Sequence, residues 1–212
     1  MTEGMSLRER KKLQTRRRLL TAATELFSER GFDKVSVAEI AEAAEVSKMT
    51  VFNYFDGKED LVLSPMAEHI GDVARAVRGR APGESALAAV RAQFLAAVEH
   101  REPSVGMSDL PTVLGVSRLI QETPALMLRT HVLSLRSHEL LTEVLVEEGE
   151  EPPLARIVSA QLTGTRNSLI HANRQRLLAG ESADTIAADA TALAERGFGL
   201  LARGLGDYAI RH

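Results

Sequence analysis

The sequence predicts an all-α fold. Ala, Leu, Glu and Arg dominate, and apolar residues recur three and four positions apart, the spacing of one helix face. Val, Ile, Phe and Tyr do not alternate with polar residues over any long run, so strands are not expected. At 212 residues with 44% hydrophobic content, the chain can bury a core as one large domain or as a small domain joined to a larger one.

The elements follow in order. Residues 1–12 are expected as a basic flexible arm: residues 1–18 hold seven Lys/Arg against Glu3 and Glu9, a net of +5, so the rest of the chain carries −8. A basic leading segment on an acidic body suits a local polyanion contact, and suits a solvated terminus equally well. The first helix is expected over 13–30, with Leu19, Ala22, Ala23, Leu26 and Phe27 on its apolar face and Gly31 beyond its end. Ser36 is an N-cap completed by Glu39, opening a helix through Val37, Ile40, Ala41 and Ala44. After the break Ala44-Glu45-Val46, Ser47 caps a short helix with Val51 and Phe55 facing inward, and Asp56 with Glu59 opens the next. Two short helices separated by about three residues must cross steeply, the helix-turn-helix arrangement, in which one helix can enter a groove while the other crosses the backbone.

Residues 13–57 are therefore expected as one domain and 58–212 as a larger helical one. Pro65, well past the first turn of the connecting helix, removes a hydrogen bond to Leu61, so a kink or break acting as a hinge is expected at 61–65. Pro82-Gly83 separates that helix from a fifth over 84–100, and 101–112 reads as irregular or short helical structure. Thr123-Pro124 is an N-cap followed by proline at the first helical position, starting a helix to Glu147. Long helices over 154–179 and 182–205 close the chain. Val158, Leu162, Thr165 and Leu169 in one, and Ile186, Ala190, Leu193, Gly197, Leu200 and Gly204 in the other, mark a close helix–helix seam. An intrachain core would use such a seam. So would a dimer interface, which is the expectation because a second apolar set (Ile157, Ile170, Leu177; Ala187, Ala194, Leu201) could supply the core.

The stretch from Arg18 to Leu61 carries Ala22-Ala23, Leu26-Phe27, Gly31-Phe32, Ile40-Ala41, Val46-Ser47, Thr50-Val51-Phe52-Asn53-Tyr54-Phe55 and Lys58-Glu59-Asp60-Leu61 in order. It resembles the DNA-binding domain of tetracycline-repressor-type (TetR family) transcriptional regulators over about 47 residues. The resemblance implies a homodimer acting as a repressor on a palindromic double-stranded DNA operator, with release by a small-molecule effector held in the larger domain. It also implies phosphate contacts from Thr15, Arg16, Tyr54 and Lys58. Three departures stand out: Glu45 and Met49 where glycine is common, and Phe52 where tyrosine is common.

The residue chemistry agrees. The amides following Ser36 open a helix and attract phosphate, Lys48 can reach a phosphate or guanine edge, and Thr50 a base edge or thymine methyl. Met49, Thr50 and Asn53 lie away from Val51 and Phe55 and are the candidates for reading sequence. Candidate effector contacts are Phe94, Met107, Arg118, Met127, His131, Arg166, Asn167 and His171; a buried Arg118 or Arg166 would favour an anion.

Other chemistries are disfavoured. With no Cys, disulfides, thiolate metal sites and Cys nucleophiles are excluded. His131 and His138 stand two turns apart, about 10.5 Å along a helix, against roughly 4 Å for two nitrogens on one zinc. No phosphate loop or nucleophile elbow occurs, so no cofactor, no metal and no enzymatic activity are expected. The alternative is a small-molecule-binding helical protein or enzyme with a vestigial helix-turn-helix. The polar start and the lack of an apolar run near ~18 residues lead to an expected cytoplasmic location without a membrane span.

Overall fold

The computed structural model describes residues 6–205 and Ile210. These form ten α-helices and one short 3-10 turn. In order they are α1 (Leu7–Arg30), α2 (Val37–Ala43), α3 (Lys48–Phe52), α4 (Lys58–Ala67), α5 (Asp72–Arg78) and α6 (Ala86–Glu99), then the turn Pro103–Val105, α7 (Pro111–Glu122), α8 (Pro124–Glu147), α9 (Pro152–Leu178) and α10 (Ala183–Leu205). The chain divides into two compact units, one ending at Pro65 and also taking in Gly115–Arg129, the other comprising Met66–Leu114 and the described residues from Thr130 onward. The boundary expected at 57/58 thus falls inside the first unit.

The first unit is organised by local capping. Ser6 and Glu9 form a complete capping box, so α1 begins at Leu7 rather than near Leu13. The expected flexible arm is therefore helical over 7–12, and residues 1–5 lie outside the described residues. Leu19, Ala22, Ala23 and Phe27 of α1 are buried, and Phe27 meets Phe32 with ring centroids 5.1 Å apart. α2 packs against both α1 and α3. Helix α4 starts at Lys58, and the carboxylate that receives the Asp56 amide, at 3.2 Å, is that of Asp60 rather than Glu59. On the other segment, Arg129 pairs with Asp60 at 3.5 Å.

The helix runs through Pro65 without a break and ends at Ala67; the interruption comes at 68–71, where Gly71 precedes α5. Proline costs one hydrogen bond there, but the flanking turns remain helical.

In the second unit α10 packs on α6 and α9, around a core that includes Phe94, Met107, Leu141, Leu145, Leu162, Ile186 and Phe198. Phe94 and Phe198 meet edge to face, centroids 5.9 Å apart. Val158, Leu162, Leu169, Ile186 and Ala190, expected at a dimer interface, are buried in this same core. Gly197 also faces inward: a Cβ there would lie 3.5 Å from Thr165 Cγ2. The four-three spacing marked packing of α9 on α10 within the chain, because heptad spacing identifies a packed face and not whose helix covers it. Among the described residues, the large apolar side chains left exposed on these helices are Leu154 and Ile157 on α9 and Leu193 and Leu200 on α10, with Gly204 also exposed; Leu200 is 66% exposed.

Candidate nucleic-acid interface

Helix α3 is five residues long and depends on its neighbours for its placement. Ser47 Oγ accepts the Thr50 amide at 3.0 Å and meets the Thr50 hydroxyl at 2.8 Å. Val51 and Phe55 are buried and fix which side turns inward. Lys48, Met49, Phe52 and Asn53 are exposed, Met49 at 70% and Phe52 at 45%. Thr50 is half-buried. Phe52 points outward with the Lys48 ammonium 5.9 Å from its ring centroid, so the departure from tyrosine leaves an apolar surface beside a cation.

The turn before α3 is pinned from α1. Arg18 donates to the Ala44 carbonyl and to Glu45 Oε2, the latter at 3.0 Å. Glu45 has φ 51°, the left-handed region that glycine adopts without cost. Arg18 supplies a partner for both a helix-end carbonyl and the strained residue's carboxylate. Nothing within a few residues of the turn signals this bridge, which joins positions 26 and 27 apart.

Around α3, several expected contact residues have intramolecular partners. At the start of α2, Ser36 Oγ accepts the Glu39 amide at 3.3 Å, and the Glu39 carboxylate accepts the Ser36 amide at 2.8 Å and its hydroxyl at 2.7 Å. Those bonds, with one from Arg30 at 2.7 Å, hold the Glu39 carboxyl down to about 2. The helix start thus already faces a carboxylate, and Ser36 acts first as a cap. Lys58 donates to the carbonyls of Phe32 at 2.9 Å and Val35 at 3.3 Å, bracing the loop between α1 and α2. Thr15, Arg16 and Tyr54 are half-buried; the Arg16 guanidinium stands 5.6 Å from the Phe55 ring centroid, and Tyr54 lies 6.5 Å from the same ring. An open groove of about 510 Å³ runs along α1 toward the end of α2, with Arg10, Gln14, Arg17 and Thr21 on its α1 side.

The expected effector contacts differ in their settings. Phe94 and Met107 are fully buried core, whereas Arg118, Met127, His131, Asn167 and His171 are exposed. Arg118 and Met127 belong to the first unit, the others to the second. Asn167 donates to Ser134 Oγ at 2.6 Å. Arg166 is buried.

A pinned turn, a short capped helix with its polar and apolar tips outward, and a supporting pair of helices make up a helix-turn-helix unit. Residues 19–64 match the model of bacterial regulatory proteins of the tetR family. In this domain and in its overall fold, the chain is similar to transcriptional regulators of the TetR family. It is 32% identical over 160 residues to the HTH-type transcriptional regulator TcmR of Streptomyces glaucescens, covering 74% of this chain and 65% of TcmR. It is 48% identical over 50 residues to the HTH-type transcriptional regulator LuxR of Vibrio harveyi, covering 24% of each. The chain thus spans just under two thirds of TcmR and about a quarter of LuxR. Among solved structures, a TetR-family regulator from Streptomyces coelicolor superposes with TM-score 0.51 at 25% identity, over 88% of this chain and 96% of that one. None of the helices described is long and apolar enough to cross a membrane.

Proposed function

We propose that the chain is a ligand-responsive repressor that binds a palindromic DNA operator as a homodimer and is released by a small-molecule effector. The outward face of α3 carries this reading: Lys48, Met49, Phe52 and Asn53 are exposed together on a helix held by a capped start and a pinned turn. Asn53 and Thr50 read base edges, Met49 and Phe52 supply apolar contact, and Lys48 contacts phosphate or a guanine. Thr15, Arg16 and Tyr54 contact phosphates, with Arg8, Arg10, Lys11 and Lys12 on the first turns of α1 adding salt-dependent attraction. Ser36 and Lys58 support the same surface through the bonds described.

The homodimer is formed by the outer apolar residues of α9 and α10, Leu154, Ile157, Leu193 and Leu200. The effector is held by the second unit, and the protein acts in the cytoplasm without a cofactor.

Selection of binding sites from random duplexes by the full chain tests this. Enrichment of a palindrome with half-sites about one helical turn apart is expected. Lys48→Ala then weakens binding to all sequences and lowers the salt slope by about one, while Asn53→Ala relaxes preference at one position of each half-site. Failure to enrich any duplex sinks the proposal and favours a small-molecule carrier.

A further inference from the structure

Arg166 stands midway along α9 and is 8% exposed. It belongs to a buried polar row on one face of that helix, with Ser159 two turns before it and Asn173 two turns after it. Asn173 is satisfied, donating to the Val105 carbonyl at 3.0 Å. The other two are not. Among the described residues, the Ser159 hydroxyl and the Arg166 Nε are buried with no hydrogen-bond partner. Arg166 Nη2 donates to the Ser104 carbonyl at a long 3.3 Å.

A buried guanidinium ordinarily has a carboxylate bonded to it, because desolvating an unpaired charge is costly. Asp72 and Glu102 act on the charge of Arg166 through space, but neither is bonded to it. Asp72 is engaged with His69 Nδ1 at 2.8 Å and with Arg75, and Glu102 accepts the Ser104 hydroxyl at 2.9 Å. Burial lowers the pKa of the guanidinium from its ordinary value, yet arginine does not discharge in a protein. The unpaired Nε and weakly paired Nη2 form one edge of the guanidinium, and two parallel N–H groups on such an edge match the two oxygens of a carboxylate.

We propose that Arg166 is the receptor for a carboxylate on the effector, which takes the Nε–Nη2 edge and displaces the Ser104 carbonyl. This rests on the reading of the second unit as the effector-binding part. It also supplies an output. The turn Pro103–Val105 is held on α9 by the bonds from Arg166 and Asn173 and by Gly106, where a Cβ would lie 2.7 Å from the Ile170 carbonyl oxygen. Losing the Ser104 bond loosens this turn. Five residues beyond Gly106 the chain enters α7, whose later residues, from Gly115, belong to the first unit. A charge recognised at Arg166 therefore acts on the segment leading into the DNA-binding part.

Benzoate and benzamide, equal in shape and differing in charge, are the probes, titrated into the full chain by calorimetry. Benzoate is expected to bind at least about tenfold more tightly than benzamide, Arg166→Gln to lose that advantage, and Arg166→Lys, which keeps the charge but not the edge, to recover part of it. In wild-type protein labelled with nitrogen-15 arginine, benzoate should shift one protected Nε–H resonance, a readout independent of whether the variants fold. Equal affinity for the two probes, no benzoate binding at millimolar concentration, or an unmoved resonance overturns the proposal. These measurements contain no DNA, so their failure is distinct from failure to enrich an operator.

Discussion

The Lys58 ammonium lies 4.2 Å from the centroid of the Phe32 ring and 2.9 Å from the carbonyl oxygen of the same residue. One cation thus holds both the side chain and the backbone of the loop between α1 and α2. Lys58→Met should lower the stability of the first unit by about 1–2 kcal/mol, since it deletes charge-assisted hydrogen bonds and a cation–π contact. Denaturant unfolding followed by circular dichroism checks this. A lysine acting solely on phosphate would instead change the salt slope of DNA binding and leave stability alone.

Arg18→Ala should loosen the turn before α3, because the Ala44 carbonyl and the Glu45 carboxylate lose their common donor. Faster amide exchange over 46–50 and operator affinity weakened about fivefold are expected, matching the ~1 kcal/mol of one such bond. Glu45→Gly acts oppositely: at φ 51° it relieves strain, and a gain of about 0.5–1 kcal/mol in unfolding free energy is expected.

Acid should weaken the start of α2 late in a titration. The folded-state pKa of Glu39 is lowered from 4.5 to about 2, so its contribution is fully present above about 4.5 and is lost as pH falls toward 2. Helical signal of wild type should fall through that window, and Glu39→Gln, which has no proton to gain, should remove this component of the profile.

Arg80 bonds Glu148 at two points, 2.8 and 2.6 Å, and also donates to the carbonyls of Val77 and Glu84. Its side chain is 2% exposed. Arg80→Ala strands Glu148 and two carbonyls and should cost about 3–5 kcal/mol, whereas replacing both partners by Met and Leu should cost much less. Thermal unfolding of the single and double variants separates the two outcomes.

The two faces of the terminal helices should respond differently to one substitution. Leu200→Glu and Ile157→Glu should leave the helical signal intact and give a monomer by mass measurement in solution. Leu162→Glu should unfold the second unit, since Leu162 is wholly buried. Intact dimers of both surface variants would overturn the assignment of the outer residues to the interface.

Capping was legible in the sequence because it acts over three residues: Ser36 with Glu39, Ser47 as the cap of α3, and Pro124 opening α8 all occur as read. The same rule at Ser6 and Glu9 was obscured by the dense positive charge that suggested a loose arm. Helix α7 was missed because Pro103, Gly106 and Pro111 read as loop, although Pro111 stands at a helix start just as Pro124 does. Which apolar stripe of α9 and α10 turns inward was not legible, since both faces carry suitable residues and the choice is made by α6. Arg18, Arg80 and Arg166 depend on partners 26 to 68 residues away, and nothing in their local sequence marks them.

Because Gly115–Arg129 belongs with the residues before Met66, the first unit is assembled from two stretches of chain. A hybrid regulator made by grafting a relative's leading segment at a single splice would join that segment to a foreign piece of its own framework, with the Asp60–Arg129 pair drawn from two parents. Exchange of specificity between such proteins calls for two junctions, one near Pro65 and another bracketing the α7–α8 corner, and a library built on one cut would be poor in folded members.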